Sequence, residues 1–303
     1  MNLKWTLNDI PDLAGKTAIV TGGNSGIGYC TGLELAKKGA AVVIATRNKA
    51  RGESAVNLMK SAYAAAKVQS EVLDLSDLSS VADFAAKFLA EHPVLDILVN
   101  NAGVMAIPKR EVTRNGFEMQ VGTNHLGHFA LTTRLLPALK ASKDGRVVTV
   151  SSMAAKSPEN IDDYMSEKDY KPMAAYGKSK ISNLLFSLEL ARRLQNTGIR
   201  SIAVHPSLSA TNLFKTDSVP LENLLKILLR TFALSPKQGA MPSLFAATSP
   251  DAQSGGFYAP VRFKGKNILV RTEKPFGISE DGNIAKTLWK QSEIWTGTAF
   301  ELM

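Results

Sequence analysis

The chain has 303 residues, of which 45% are hydrophobic and 21% charged, with a formal charge of +9. This balance excludes an intrinsically disordered chain, and the length allows a core that needs no disulfide staples. One cysteine, Cys30, makes no internal disulfide and supplies no zinc cluster, so a reduced, cytoplasmic setting is the expectation.

In chain order, Met1 to Lys16 carries Asp9, Pro11 and Asp12 where a signal peptide has an apolar core. No later run approaches the ~18 apolar residues of an integral membrane span. Thr17–Val20, Ala41–Thr46, Val68–Leu73, Leu95–Val99, Arg146–Val150 and Ile199–Val204 read as strands. Their lack of polar alternation suits strands covered on both faces. Helical patterns lie between them. Val81, Phe84, Ala85, Phe88 and Leu89 form one apolar stripe, and the helices near Lys38 and Asn196 stop at Gly39 and Gly198. This order predicts an α/β, Rossmann-type, doubly wound parallel sheet as a single domain over residues 1–303. Substrate-loop insertions are expected near 153–173 and 212–235, and the tail after Pro260 is left unplaced. The basic pairs Lys37–Lys38 and Arg192–Arg193 fall on helices, where a solvated face is expected rather than a nucleic-acid footprint.

The first strand runs into Thr21-Gly22-Gly23-Asn24-Ser25-Gly26-Ile27-Gly28 and then a helix. Glycines there permit a tight turn and bring backbone N–H groups up to a pyrophosphate at a helix N-terminus, although a plain strand-to-helix turn uses similar residues. The second strand ends at Thr46-Arg47-Asn48, without the carboxylate that would bind the ribose hydroxyls of NAD. Arg47 could instead pair with the 2′-phosphate of NADP(H), the other reading being a surface arginine. Tyr176 and Lys180, four apart on one predicted helix running to about Gln195, share a face. An ammonium beside a phenol favours the phenolate and suits it to acid/base work.

Taken together, these motifs resemble the short-chain dehydrogenase/reductase family in its compact single-domain branch. The resemblance rests on Thr21–Gly28, Asp74-Leu75, Asn100-Asn101-Ala102-Gly103, Val150-Ser151-Ser152, Tyr176-Gly177-Lys178-Ser179-Lys180 and His205-Pro206-Ser207, in order over about residues 14–260. Ser207 stands where that family has glycine. The resemblance implies four catalytic residues. Tyr176 would donate the proton to a carbonyl oxygen, and Lys180 would bind the nicotinamide ribose and depress the tyrosine pKa. Ser152, rather than Ser151, would hydrogen-bond the substrate oxygen, and Asn124 would complete a proton relay. It also implies cofactor contacts at Gly22, Asn24, Ser25, Gly26, Ile27 and Gly28, and at Arg47, Asn48, Asp74 and Leu75. Further contacts are implied at Asn101, Ala102, Gly103, Tyr176, Lys180, Pro206, Ser209 and Thr211.

More narrowly, Asn124-His125-Leu126-Gly127-His128-Phe129 and Thr46-Arg47-Asn48 are similar to the retinol-dehydrogenase-like and protochlorophyllide-reductase-like group. The expected activity is NADPH-dependent reduction of an aldehyde or ketone, reversible to alcohol oxidation. The alternatives are a retinol-type alcohol dehydrogenase and a catalytically silent NADP(H)-binding sensor or scaffold. An extended-branch epimerase or dehydratase would need a larger substrate domain, and a membrane retinoid enzyme would be expected to carry an apolar N-terminal anchor. His125 and His128 lack the carboxylate or cysteine partners of a zinc site, so no metal is expected. Leu221, Leu224, Leu225, Leu228, Leu229 and Phe232 form an apolar helix stripe, read as a lid over a bulky hydrophobic carbonyl compound, the expected partner being a small hydrophobic carbonyl or alcohol substrate. A subunit contact and a membrane-surface helix are its other readings. A homodimer or homotetramer is a further implication of the resemblance.

Overall fold

Strands that read as buried on both faces do form one sheet. The computed structural model describes residues 2–156, 162–207, 234–263 and 267–301. The six expected strands appear as β2 (Thr17–Thr21), β3 (Ala41–Thr46), β4 (Val68–Val72), β5 (Ile97–Asn100), β6 (Arg146–Val150) and β7 (Arg200–Val204). Three more join them, β1 (Asn2–Leu3), β8 (Phe257–Phe263) and β9 (Asn267–Glu273), in the order β1-β9-β8-β7-β6-β5-β2-β3-β4. Pairing from β4 across to β8 is parallel, and β8–β9 and β9–β1 are antiparallel.

Successive side chains along a strand point to opposite faces, and the core divides accordingly. Val20, Ile44 and Val99 pack with Phe245 and Tyr258 on one face. Ile19, Val43 and Leu98 pack with Phe129, Phe186 and Trp289 on the other. Helices α1 (Gly26–Lys37), α2 (Lys49–Ala62) and α3 (Leu78–Glu91) connect the first strands. On α3 the expected stripe is buried at Val81, Phe84, Ala85 and Phe88 and half-buried at Leu89. Gly39 and Gly198 take φ of +96° and +77°, the left-handed backbone that ends the preceding helices.

A short helix α4 (Met119–Val121) passes into a π-helical turn at Gly122–Leu126 and then α5 (Gly127–Lys140). Helix α6 spans Pro172–Arg193. It starts three residues ahead of the expected Ala175, because proline suits the first helical turn, where its missing N–H costs no bond. Beyond it lie α7 (Pro236–Gly239), α8 (Met241–Thr248) and α9 (Gly282–Thr296). The unplaced tail is thus a β8–β9 hairpin that extends the sheet and a helix that caps α6. Trp289 of α9 stacks on Phe186 at 5.7 Å between ring centroids and meets Phe129 edge-on at 5.0 Å. Among the described residues no helix is long and apolar enough to cross a membrane. The 212–235 insertion, apart from its last two residues, and the 221–232 stripe lie outside the described residues, as do Ser209 and Thr211.

Candidate active site

The parallel register brings the motif-bearing strand ends into one line. Thr21 lies opposite Ala45, Asn100 opposite Thr149, and Val150 opposite Val204. The sheet runs from β2 to β3 on one side and to β5 on the other, which makes this rim a topological switch point, where open α/β sheets bind ligands.

On the β2 side, the glycine turn fits a dinucleotide by observable criteria. Gly22 and Gly26 have φ of +65° and +56°. A Cβ on Gly28 would stand 2.5 Å from both the Gly22 carbonyl oxygen and Asn101 Nδ2. Ser25 caps α1 in extended conformation but makes no side-chain cap, and the first turn holds no acidic residue. The leading N–H groups of α1 are therefore left to an anion rather than to the protein's own oxygens. Asn24 and Ile27 lie within the same turn, Ile27 buried against the core. Across the switch point, Thr21 Oγ1 accepts from the N–H groups of Asn101 and Ala102 (both 2.9 Å), and Asn101 Nδ2 donates to Thr21 O (2.8 Å). His128 Nε2 lies 2.8 Å from the same Thr21 hydroxyl.

Arg47 extends exposed from the end of β3. Asn48 is engaged as the N-cap of α2, its Oδ1 accepting from Arg51 N at 2.9 Å. Asp74 Oδ1 accepts from Ser76 N and Oγ, shaping the turn after β4. Leu75 is buried and closes on Gly127 at the start of α5.

On the β6 side, Ser151 and Ser152 separate in role. Ser151 Oγ is buried and donates to Lys180 O (2.7 Å), whereas the Ser152 hydroxyl is placed to act on the Tyr176 phenol, lowering its pKa. Tyr176 is 8% exposed and Lys180 4%. Lys180 Nζ donates to Val150 O at 3.0 Å, a carbonyl that also accepts from Asn183 Nδ2 at 3.1 Å. Asn124, in the π-helical turn, holds the backbone of Val104 at both ends. Its Oδ1 accepts from Val104 N (2.8 Å), and its Nδ2 donates to Val104 O and Ser179 Oγ (both 2.9 Å). Such π turns recur at functional sites. Gly103 packs there too, since a Cβ on it would stand 3.0 Å from Asn124 Oδ1 and 3.6 Å from Lys180 Nζ.

The electrostatics depart from expectation in one respect. Burial pushes the Tyr176 phenol above its ordinary range, with the Ser152 hydroxyl opposing it in part. Burial also pulls the Lys180 ammonium down to about 8. Lys180 was expected to depress the phenol. Its Nζ instead points to Val150 O, 5.8 Å from the Tyr176 ring centroid, so desolvation of the phenol outweighs it.

After β7, Pro206 and Ser207 turn beside this rim. Ser207 takes φ +58°, the left-handed backbone that glycine favours, so the turn keeps its shape despite the substitution. His205 Nδ1 accepts from Ser207 N (3.2 Å). The two histidines weighed as metal ligands are engaged separately inside the protein, His125 with Ser292 and His128 with Thr21 and the Asn124 carbonyl. Burial lowers them to about 3 and about 4. Among the described residues no cluster could hold a metal ion. Thr21 was named in the glycine motif but given no role, and Asn183 and Gln120 were not singled out from the sequence; of these last two, only Asn183 carried a local signal, its i, i+3 spacing from Lys180 on α6.

A phenol and a neighbouring hydroxyl can present two donors to one substrate oxygen, at the same strand-end rim as the glycine turn. The family model described as short chain dehydrogenase matches residues 16–220. Mouse retinol dehydrogenase 12 is 44% identical over 292 residues, covering 95% of this chain and 89% of that protein. A solved structure of an uncharacterised protein from Mycobacterium paratuberculosis is 40% identical, covers 98% and 99% of the two chains, and superposes with a TM-score of 0.79. A metagenomic short-chain oxidoreductase in complex with NADP is 26% identical, covers 79% and 94%, and has a TM-score of 0.61.

Proposed function

Because this chain belongs to the short chain dehydrogenase family, whose members bind a nicotinamide cofactor, we propose that it is an NADP(H)-dependent carbonyl reductase acting reversibly on a small apolar aldehyde or ketone. The observation that carries this reading is that Tyr176 and Lys180, one helical turn apart on α6, are buried together beside the end of β6, where Lys180 Nζ donates to Val150 O and the Ser152 hydroxyl acts on the Tyr176 phenol. The cofactor would supply a hydride when bound. The first-turn N–H groups of α1 would hold its pyrophosphate and the Arg47 guanidinium its 2′-phosphate. Preference for the phosphorylated form rests on Arg47 and on the absence of a carboxylate in Thr46-Arg47-Asn48.

The chain's own residues divide the remaining work. Ser152 Oγ and Tyr176 Oη orient and polarise the carbonyl oxygen, and Tyr176 gives up its proton to the forming alkoxide. With its phenol held above the ordinary range, Tyr176 is protonated at neutral pH, the state that reduction requires. Lys180, buried beside it, provides positive charge as the phenolate develops. Asn124 keeps Val104 and the helix around Ser179 in place. A cytoplasmic location, consistent with the lone thiol Cys30, and a homodimer or homotetramer complete this reading.

A second reading is favoured by the 44% identity to mouse retinol dehydrogenase 12: oxidation of a retinol-type alcohol by the same residues run in reverse. A silent cofactor-binding scaffold is less well supported, because all four matched residues are present. The test is oxidation of NADPH, with NADH alongside, over aliphatic, aromatic and retinoid aldehydes. Reduction of NADP by the matching alcohols supplies the reverse arm. Turnover that disappears in Tyr176→Phe while NADPH still binds supports the reading. Turnover retained in that variant removes the proton-donor role, and binding without turnover in either direction favours the scaffold.

A further inference from the structure

Two irregular segments adjoin residues of this site along the chain: residues 104–111, following the Asn101–Gly103 turn, and residues 162–171, leading into the helix α6 that bears Tyr176 and Lys180. Each contains a non-glycine residue with left-handed backbone, Ala106 (φ +53°) in the first and Ser166 (φ +48°) in the second. Such residues are uncommon, and they persist where surrounding contacts over-determine them. Here the contacts can be named.

Gln120, fully buried, spends its side-chain amide on both segments. Its Oε1 accepts from Ala106 N (2.8 Å), and its Nε2 donates to Tyr170 Oη (3.3 Å) and to Pro172 O (3.0 Å). Tyr170 Oη in turn donates to Ile107 O (2.7 Å). Arg110 Nε donates to Met165 O (3.0 Å). At the far end, Lys178, two residues after Tyr176 on α6, donates from Nζ to Asp163 O and to Ser166 Oγ. The 162–172 strap is thereby fixed at its start to the helix that bears Tyr176, and at its middle and end to the loop after Gly103.

Resting on the proposed carbonyl-reductase reading, the geometry points to Gln120 and Lys178 as positioning residues that brace this strap as a fixed wall of the substrate site. Gln120 holds the carbonyl of the first residue of α6, four residues before Tyr176. The brace thus sets how a carbonyl compound lies against the proton donor. It leaves the glycine cradle, on the β2 side of the rim, untouched. Rigid placement of the reacting carbonyl is worth orders of magnitude in rate, so loosening one wall is felt by the substrate and not by the dinucleotide.

Steady-state kinetics with NADPH and benzaldehyde on the wild type, Gln120→Leu, Lys178→Met and Lys178→Arg test this, together with amide hydrogen exchange over residues 162–172. In Gln120→Leu and Lys178→Met the aldehyde KM rises about tenfold while that for NADPH holds, and the strap amides exchange faster. Lys178→Arg restores both readouts, because a guanidinium still donates to Asp163 O and Ser166 Oγ. An unchanged aldehyde KM, with or without faster exchange, overturns the proposal. So does an NADPH KM or thermal midpoint that worsens in step with the aldehyde KM, the mark of a merely structural role. If the wild type turns over no carbonyl or alcohol, the functional reading fails first. Exchange then decides the brace by itself: faster exchange confined to 162–172 upholds it, and unchanged exchange overturns it.

Discussion

The Lys180 ammonium lies 5.8 Å from the centre of the Tyr176 ring and donates at 3.0 Å to the Val150 carbonyl. Burial alone moves its pKa from the ordinary 10.5 to about 8, with no charged partner contributing. A buried cation held by a carbonyl is a stability cost kept for the sake of the site. Lys180→Met should therefore abolish carbonyl turnover and, at pH 7, raise unfolding stability by about 1–2 kcal/mol. The sign of the pH dependence follows from the lowered pKa. Between about pH 8 and 10.5 the unfolded wild type binds more protons at this lysine than the folded one, so the wild type gains stability and the gap to Lys180→Met narrows. Urea midpoints of both proteins at pH 7 and pH 9 would show it, and a gap independent of pH would contradict it. The kcat/KM for carbonyl reduction should fall as pH rises through about 8, where the ammonium is lost.

Gly28 has no room for a methyl group. Its Cβ would meet the Gly22 carbonyl oxygen and Asn101 Nδ2 at 2.5 Å, and Asn101 is already bonded to Thr21 O. Gly28→Ala should separate the glycine turn from the Asn101 turn, costing about 1–3 kcal/mol of stability. NADPH affinity should fall with it, read by cofactor-fluorescence titration. Wild-type affinity in this variant would mean that the cradle is not where the dinucleotide binds.

Ser207 holds a left-handed backbone that costs an L-residue roughly 1–2 kcal/mol relative to glycine. Glycine would lose about 0.5–1 kcal/mol through the greater freedom of the unfolded chain. The first effect is the larger, so Ser207→Gly should stabilise the protein by about 0.5–1 kcal/mol. The Ser207 N–H bond to His205 Nδ1 is a backbone bond and survives the change. Ser207→Val, β-branched at the same φ, should destabilise. Chemical denaturation of the two variants separates them.

Arg47 is exposed at the end of β3. Arg47→Asp should raise the KM for NADPH by about ten- to a hundredfold through loss of charge-assisted bonds to the 2′-phosphate. The KM for NADH should hold or improve, and the thermal midpoint should stay unchanged. An unaltered ratio of the two KM values would remove the argument for NADP(H).

Much of this architecture was legible because it is local. Val147, Val148 and Val150 on β6, or Ile19 and Val20 on β2, need cover on both faces, and alternating strand and helix patterns supply it only in a doubly wound sheet. Gly39 and Gly198 mark helix ends through their own backbone preference. The β8–β9 hairpin was not legible, because β8 gains its parallel neighbour β7 only across the intervening segment and β1 finds β9 across nearly the whole chain. Helix α9 has an amphipathic pattern but no local sign that Trp289 would lie on Phe186.

The sequence by itself determined which residue types could do chemistry: a phenol and an amine one helical turn apart, a serine closing a strand, and glycines where a helix begins. Those are properties of neighbours along the chain. Tertiary structure alone decided what each does. It committed Ser151 to the Lys180 carbonyl and left Ser152 to Tyr176, aimed Lys180 at Val150, and placed Gln120 between two loops. Partner choice and desolvation depend on residues tens of positions apart, and only the folded sheet, by setting its register, brings them within reach of one another.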